Sequence, residues 1–276
     1  MVSCKICGSR DTAKARLGDA ELIFCKTCTV TFLASLPSEP GMKEYYESAY
    51  RITAPDDPAT EKRRFFRWPE QIKLIAQLMR LKPPPAAVLD VGCDKAYFLD
   101  EIRRYGYRVS GVEPSKTARE YCRQIGIETH GSIDELNATY DIITLWHTLE
   151  HVGDPVGFLR RVHALMNQRG VLAIRVPNFD NVWRRIFRAR WIWYQPQNHC
   201  FHYTAAALHR LLTLVGFKSI QIKSQRPNNR LTRKAYGLAA KTFKAYRGDR
   251  VTFKKLAGRI YEDVTGIELY ALAVKE

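Results

Sequence analysis

The sequence predicts an α/β protein: a mostly parallel sheet wrapped by helices, preceded by a small metal-stabilised module. Three observations carry this expectation. From residue 86 onward, apolar β-type runs alternate with segments of helical periodicity, the pattern of strands joined by crossover helices. The first of those strands, 86–91, ends in Gly92 and passes directly towards a helix, the place where a parallel sheet takes its ligand. The first forty residues carry two CxxC pairs.

The composition agrees. At 276 residues, with 46% hydrophobic and 26% charged side chains, the chain can bury a sizeable core and has the balance of a water-soluble globular protein. No apolar run reaches the roughly 18 residues of a membrane span. The N-terminus, MVSCKICGSR, lacks an apolar signal-peptide core, so a cytoplasmic location is expected.

Taken in order, the first element is the metal module, expected over 1–40. Cys4 and Cys7 form one knuckle and Cys25 and Cys28 the second, with 17 residues between them. Two thiolates three positions apart in a tight turn reach one metal from the same side, and a second knuckle completes a tetrahedral Cys4 set. Gly8 suits the first turn, and 20–24 and 29–33 read as strands flanking the second knuckle, the pattern of a zinc ribbon. Four protein ligands leave no open position, so the zinc is expected to be structural. Redox-active CxxC pairs or two local disulfides are the alternatives.

The run Leu36-Pro37-Ser38-Glu39-Pro40-Gly41 breaks the chain, and 41–85 is expected to be a helical linker. Within it, Phe65, Trp68, Ile72, Ile75, Leu78 and Met79 fall near helical spacing, predicting a helix over 61–81 that ends before Pro83-Pro84-Pro85. From 86 to 276 the alternation predicts strands at 86–91, 107–113, 127–129, 140–146, 171–177, 220–223 and 267–274. Helices are predicted at 96–105, 115–125, 155–166 and 204–215, with a basic insertion at about 224–262 before the last strand. The charge is segregated: 182–259 holds 18 Lys/Arg against one acid, Asp249, while the whole chain nets +16. Such a strip is either a solvated surface or a face for phosphates, nucleic acid or anionic lipid.

Four stretches in this last region, VLDVGC, GVEPS, YDIITLWHTLEHVGDP, and GVLAIRVPN followed by NHCFHYT and LLTLVGFK, together carry a resemblance. In this order and spacing, the region from Val88 to the end resembles the class I S-adenosylmethionine-dependent methyltransferases. The resemblance implies a Rossmann-like, seven-stranded sheet whose last strand is antiparallel, and S-adenosylmethionine as cofactor. It places Asp90, Gly92, Cys93, Asp94, Phe98, Glu113, Pro114, Ser132, Ile133 and Trp146 at the cofactor, with Asp90 and Asp94 towards its amino-acid end, Glu113 at the ribose, and Ser132, Ile133 and Asp134 near the adenine. Gly92 allows a sharp turn and close backbone approach, and a carboxylate about 20 residues further on can accept both hydroxyls of a ribose. The family's glycine pattern is altered here: D-x-G-x-G-x-G becomes Asp90, Gly92, Asp94, Ala96. Asp tolerates left-handed backbone, so Asp94 is expected to keep the turn. Cys93 is expected to lie against the sheet and not to act as a nucleophile.

His147, Glu150 and His151 fall at i, i+3 and i+4 if a helical turn begins at Thr148, which puts them on one face. His147 is the first candidate base, and two His with one carboxylate suit a divalent metal. The alternative is that Glu150 and His151 brace the strand–helix junction. His199, with His202 nearby, is the substrate-side candidate, so the catalytic set is His147, His151 and His199. The stretch 183–194 mixes arginines with bulky aromatics, suiting a substrate lid or an interfacial helix.

These readings lead to a methyltransferase acting on a small-molecule or glycan intermediate. The expected reaction is O-methylation of an anionic acceptor, a phosphate-bearing sugar or lipid-linked saccharide, with peripheral contact to anionic lipid. RNA methylation, with the ribbon and basic tract seating phosphates, is the rival; against it, the chain has no N/D-P-P-Y/F stretch. A non-catalytic binding protein is the reading from another class.

Overall fold

The structure is a computed structural model, and it describes residues 2–37, 62, 69–191, 193–225 and 268–276. The expected linker, Lys62 and 69–85 apart, lies outside the described residues, as does the basic insertion from 226 onward.

Three short strands form the N-terminal module: β1 (Thr12–Leu17), β2 (Ala20–Cys25) and β3 (Thr31–Leu33). β1 and β2 make a hairpin from Thr12↔Cys25 to Leu17↔Ala20, turning at Gly18 with φ +58°. β1 has little apolar alternation to announce it; pairing with the buried β2 holds it. In the region that follows come helix α1 (Pro69–Leu81), strand β4 (Ala87–Val91), helix α2 (Tyr97–Ile102), strand β5 (Arg108–Val112) and helix α3 (Lys116–Gln124). Strands β6 (Thr129–His130) and β7 (Tyr140–Trp146), helix α4 (Pro155–Ala164), strand β8 (Met166–Pro177) and the short helix α5 (Val182–Phe187) come next. The chain continues through β9 (Phe201–His202), α6 (Ala205–Val215), β10 (Lys218–Gln225) and β11 (Glu268–Val274).

Seven strands form the main sheet in the order β10-β11-β8-β7-β4-β5-β6. β4 to β8 run parallel, and β11 lies antiparallel between β8 and β10. This is the architecture the sequence predicts, antiparallel last strand included. The central strands are buried on both faces, so they read as continuous apolar runs, as in β8 from Val171 to Ile174. Helix starts follow from their caps. Ser115, Asp154 and Thr204 each accept a hydrogen bond from a first-turn backbone N–H, and Gly216 at φ +107° closes α6. β8 begins at Met166, five residues before the expected start, because Met166 pairs with Tyr140 ahead of a bulge. Among the described residues, no helix is long and apolar enough to cross a membrane.

The small sheet is not confined to the N-terminal module. β9 is its fourth strand, pairing with β3 through Thr31↔His202 and Phe32↔Phe201. The Leu33 N–H donates to the Cys200 carbonyl at 3.0 Å, and the Phe32 and Phe201 rings stack at 5.6 Å. Cys25, Phe32, Phe201 and Tyr203 share one core with the strands of the main sheet. The ribbon therefore grips the segment that carries His199 and His202.

Candidate active site

The ribbon cysteines fit one metal. The Cys4 and Cys28 sulfurs lie 3.5 Å apart, those of Cys7 and Cys25 3.6 Å apart, and all four are free thiols with sulfurs within 4.8 Å of one another. A tetrahedron with Zn–S bonds of about 2.3 Å has edges of about 3.8 Å, whereas a disulfide needs about 2 Å. The spacing is that of a Cys4 zinc site and not of two bridges.

The cofactor loop forms at the C-terminal end of β4. Gly92 sits at φ +79°, and a Cβ there would meet the Thr148 hydroxyl at 2.5 Å, so only glycine lets the loop lie against the turn after β7. Thr148 Oγ1 donates to the Val91 carbonyl at 2.8 Å. The two altered positions keep the turn, since Asp94 and Ala96 adopt left-handed backbone at φ 47° and 53°. Glu113, buried at the end of β5, accepts the Asp94 N–H at 3.0 Å and the Ser115 N–H at 2.8 Å. Burial pushes its carboxyl up to about 6 against those N–H donors. Each oxygen keeps a second lone pair for a ligand hydroxyl. Asp90 is buried between strands, its Oδ1 taking the Thr144 hydroxyl at 2.6 Å, and burial pushes it up to about 7. Cys93 lies where expected, its sulfur against Gly111 of β5, with the thiol raised by its Cys122 neighbour and by burial. Phe98 packs edge-on to Trp146 at 5.4 Å, and the indole N–H of Trp146 is buried with no hydrogen-bond partner among the described residues. Arg119 holds the Glu113 and Pro114 carbonyls at 2.6 and 2.7 Å. Ser132 caps the short turn of Ile133–Glu135 beyond β6, and the Glu113 N–H reaches the His130 carbonyl at 2.9 Å.

His147 has φ 52°, strained for a non-glycine residue, and its ring stacks on Trp193 at 4.8 Å. Nδ1 meets Glu150 Oε1 at 3.2 Å and Nε2 meets Glu268 Oε1 at 3.2 Å. Burial lowers the ring's proton affinity, but the two carboxylates outweigh it and raise His147 to about 9. Both ring nitrogens of His147 thus face carboxylates, contacts that brace the turn after β7. Glu268 is in turn gripped by Arg175, whose Nε lies 2.8 Å away; burial raises the Glu268 carboxyl, yet His147 and Arg175 hold it down at about 2. Sequence reasoning missed Arg175 and Glu268, because only the β8–β11 register brings residues so far apart together.

The residues expected to share a face gather around Glu150: His147 bonds it at 3.2 Å, and donor atoms of His151 and His199 lie within 4.8 Å of it. The Nδ1 of His151 bonds the Asn198 carbonyl at 3.0 Å, and its ring meets that of His199 at 4.7 Å. His199 Nδ1 bonds the Trp193 carbonyl at 2.9 Å, and burial lowers its proton affinity to about 4, so it is neutral. His202 is buried, lowered to about 3 by the same cause, and stacks on Phe179 at 4.7 Å. His151 and His199 therefore come together with Glu150, while His202 serves the core.

The described part of 183–194 turns Trp191 and Tyr194 inward and leaves Phe187 and the arginines at 185, 188 and 190 out. Trp191 and Tyr194 join Leu22 and Leu33 of the ribbon, and the Tyr194 hydroxyl donates to the Leu17 carbonyl at 2.6 Å. Ile186 and Phe187, 60% and 50% exposed, stand beside Arg185, Arg188 and Arg190 on the surface.

A family model described as a methyltransferase domain matches residues 61–222. The ubiquinone biosynthesis O-methyltransferase of Xanthomonas axonopodis pv. citri (strain 306) is 30% identical over 110 residues, 36% of this chain and 46% of that protein. The protein of that name from Vibrio campbellii is 33% identical over 96 residues, 30% of this chain and 40% of that protein. The match thus spans less than half the length of these relatives. Among solved structures, magnesium protoporphyrin IX methyltransferase from Synechocystis PCC 6803, with SAH bound, superposes with a TM-score of 0.57 at 13% identity, covering 87% of this chain and 100% of that one. A SAM-dependent methyltransferase from Archaeoglobus fulgidus gives a TM-score of 0.53 at 18% identity, covering 80% and 100%. At such identities these structures speak for the fold.

Proposed function

The chain belongs to the methyltransferase-domain family, and from that premise we propose that it is an S-adenosylmethionine-dependent O-methyltransferase with a structural zinc ribbon, acting on a small anionic acceptor. The observation that carries the reading is the contact between the cofactor loop and the turn of the histidine cluster, Gly92 against Thr148. It sets the loop carrying Asp94, which is bonded to Glu113 at the end of β5, beside the turn that carries His147, Glu150 and His151.

S-adenosylmethionine, when bound, supplies an electrophilic methyl on a sulfonium. The chain's own residues supply alignment, the main requirement of an in-line displacement. Glu113 offers lone pairs to the ribose hydroxyls, Gly92 admits close backbone approach, and Trp146 has a buried N–H to donate. His199, neutral and buried, can accept the acceptor's hydroxyl proton. The arginines at 184, 185, 188 and 190 favour a phosphate-bearing sugar or lipid-linked saccharide, drawn in by a positive field. A phenolic acceptor of the kind implied by the relatives' names is the second reading.

Methyl-labelled S-adenosylmethionine offered with a sugar phosphate, a lipid-linked saccharide, a catechol and total RNA decides among them. Label in either phosphorylated acceptor supports the first reading. Label in the catechol moves the acceptor to the second, label in RNA overturns both, and binding of cofactor without any transfer indicates a non-catalytic protein.

A further inference from the structure

We propose that residues 185–190, the tip of the segment between β8 and β9, form a docking surface for an anionic lipid bilayer. Ile186 and Phe187 enter the boundary of the acyl chains, and Arg185, Arg188 and Arg190 meet the lipid phosphates. The docking stands on exposure and charge; its consequence, access to a lipid-borne acceptor, rests on the methyltransferase reading above.

The run reads Arg-Ile-Phe-Arg-Ala-Arg, and every residue of it is exposed, Ile186 by 60% and Phe187 by 50%. The other exposed large apolar side chains among the described residues, Val2, Leu81, Tyr105 and Leu214, stand singly along the chain. Single exposed apolar residues are ordinary. Two in succession, flanked by cations on both sides, have the composition of a segment that lies in a membrane interface. The Phe187 ring is supported on one face by Trp183, stacked on it at 6.0 Å.

The anchors of this segment lie on either side of the run. Asn181 caps α5 by accepting the Arg184 N–H at 2.9 Å, and the Arg184 guanidinium lies on the Phe179 ring at 4.2 Å. Trp191 packs edge-on to the same ring at 6.2 Å, and its backbone N–H returns to the Arg188 carbonyl at 3.1 Å. Ala189 is backed by the β1–β2 turn, where a Cβ added at Gly18 would lie 3.4 Å from the Ala189 Cβ. The core thus holds Phe179 and Trp191, and the residues between α5 and Trp191 face solvent.

Charge selects the partner. The run has three arginines and no acid, and among the described residues its one ion pair joins Arg185 to Asp180 at 2.6 Å, both exposed. Each arginine beside an anionic bilayer is worth about a fivefold gain in partitioning. A nucleic-acid backbone rewards the arginines equally but not Ile186, whose branched alkyl chain cannot stack on a base, and Phe187 already stacks on Trp183. A bilayer rewards both parts of the run. Three residues further on, Trp193 stacks on His147 at 4.8 Å and its carbonyl holds the His199 ring at 2.9 Å. A bilayer bound at the tip is therefore close in the chain to the acceptor-side histidines, which suits an acceptor carried in the membrane.

The test uses full-length protein with its ribbon zinc-loaded, sedimented with vesicles of phosphatidylglycerol and phosphatidylcholine in equal parts or of phosphatidylcholine alone. Binding is expected to the anionic vesicles, about tenfold weaker or less to the neutral ones, and falling as salt rises towards 1 M. Ile186→Ser with Phe187→Ser keeps every charge and is expected to weaken binding about tenfold, the worth of partly burying two apolar side chains. Arg188→Gln with Arg190→Gln keeps both apolar side chains and is expected to weaken it by more than about tenfold. Acyl-brominated phosphatidylglycerol is expected to quench the fluorescence of a Phe187→Trp variant more than that of the parent. S-adenosylhomocysteine affinity, read in the same samples, is expected to change less than twofold in every variant, which shows that they fold. A parent that binds anionic vesicles but no S-adenosylhomocysteine keeps the docking surface and loses the cofactor reading, so the two failures are told apart. No sedimentation with anionic vesicles, equal sedimentation with neutral ones, or binding unchanged by the paired serines overturns the proposal. So does RNA binding that the arginine pair abolishes in a protein that ignores vesicles.

Discussion

Asp90 and Ala96, at either end of the cofactor loop, each hold an energetically unfavourable state, and each gives a prediction. Burial pushes the Asp90 carboxyl up to about 7, against about 3.9 in an unfolded chain. Between those values the folded protein binds the extra proton, so stability is fully present below about pH 4 and falls as pH rises towards 7. Asp90→Asn keeps the acceptor for Thr144 and removes the buried charge. It is expected to match the parent near pH 4 and exceed it by a few kcal/mol at pH 8, because each tenfold difference in proton affinity between folded and unfolded chains is worth roughly 1.4 kcal/mol. Denaturant midpoints across pH check this, and a parallel pair of curves contradicts it. Ala96 occupies left-handed backbone at φ 53°, which costs a non-glycine residue roughly 1–2 kcal/mol. Ala96→Gly relieves that and loses part of the gain to unfolded-chain entropy, leaving about 0.5–1 kcal/mol of added stability. Gly92→Ala goes the other way, by about 2–3 kcal/mol, because strain is joined by the overlap with Thr148. Urea midpoints with unchanged slopes measure both. The role of Asp94 was legible here from residue chemistry alone. The roles of His147, Glu268 and Arg175 were not, because a side chain's partner across two strands depends on register, which no local pattern encodes.

At the scale of elements, the regular pieces were legible for identifiable reasons. Apolar runs marked β4, β7 and β11, and the helix starts expected at 115, 155 and 204 lie within one residue of those observed. Two strands were not: β1 has mostly exposed, polar side chains, and β9 is two residues long, too short for any period. β9 exists because β3 supplies its partner, so the ribbon's zinc supports structure beyond the ribbon. Binding free energy in such modules is folding free energy. Stripping zinc with a chelator, or Cys25→Ser, is therefore expected to remove amide-exchange protection from residues 4–33 and also from Phe201 and His202, while β4 and β7 keep theirs. Protection lost in the ribbon but unchanged at Phe201 and His202 contradicts the coupling. The ring stack of Phe32 on Phe201 and the bond from Thr29 Oγ1 to Thr204 Oγ1 at 2.8 Å are the contacts that carry it.

For the whole molecule, charge and topology make separate statements. The strand order, with β11 reversed between β8 and β10, places the loops after β4, β5 and β7 on one edge, and this much followed from four short stretches of sequence read together. The positive charge is confined to 182–259, leaving the remainder near neutral. If that tract draws in an anionic acceptor, neutralising Arg184, Arg185 and Arg188 raises the acceptor's KM several-fold and leaves cofactor affinity unchanged. The effect shrinks towards 1 M salt, where the screening length falls to about 3 Å. An unchanged KM returns the tract to the role of solubilising surface. The claim on which the rest depends is that the altered glycine loop still binds the cofactor, and calorimetric titration with S-adenosylhomocysteine tests it most directly. One molecule is expected to bind per chain, with Glu113→Ala weakening it by about 1.5–3 kcal/mol, the range for hydrogen bonds to a charged group. No heat of binding at millimolar ligand contradicts the account.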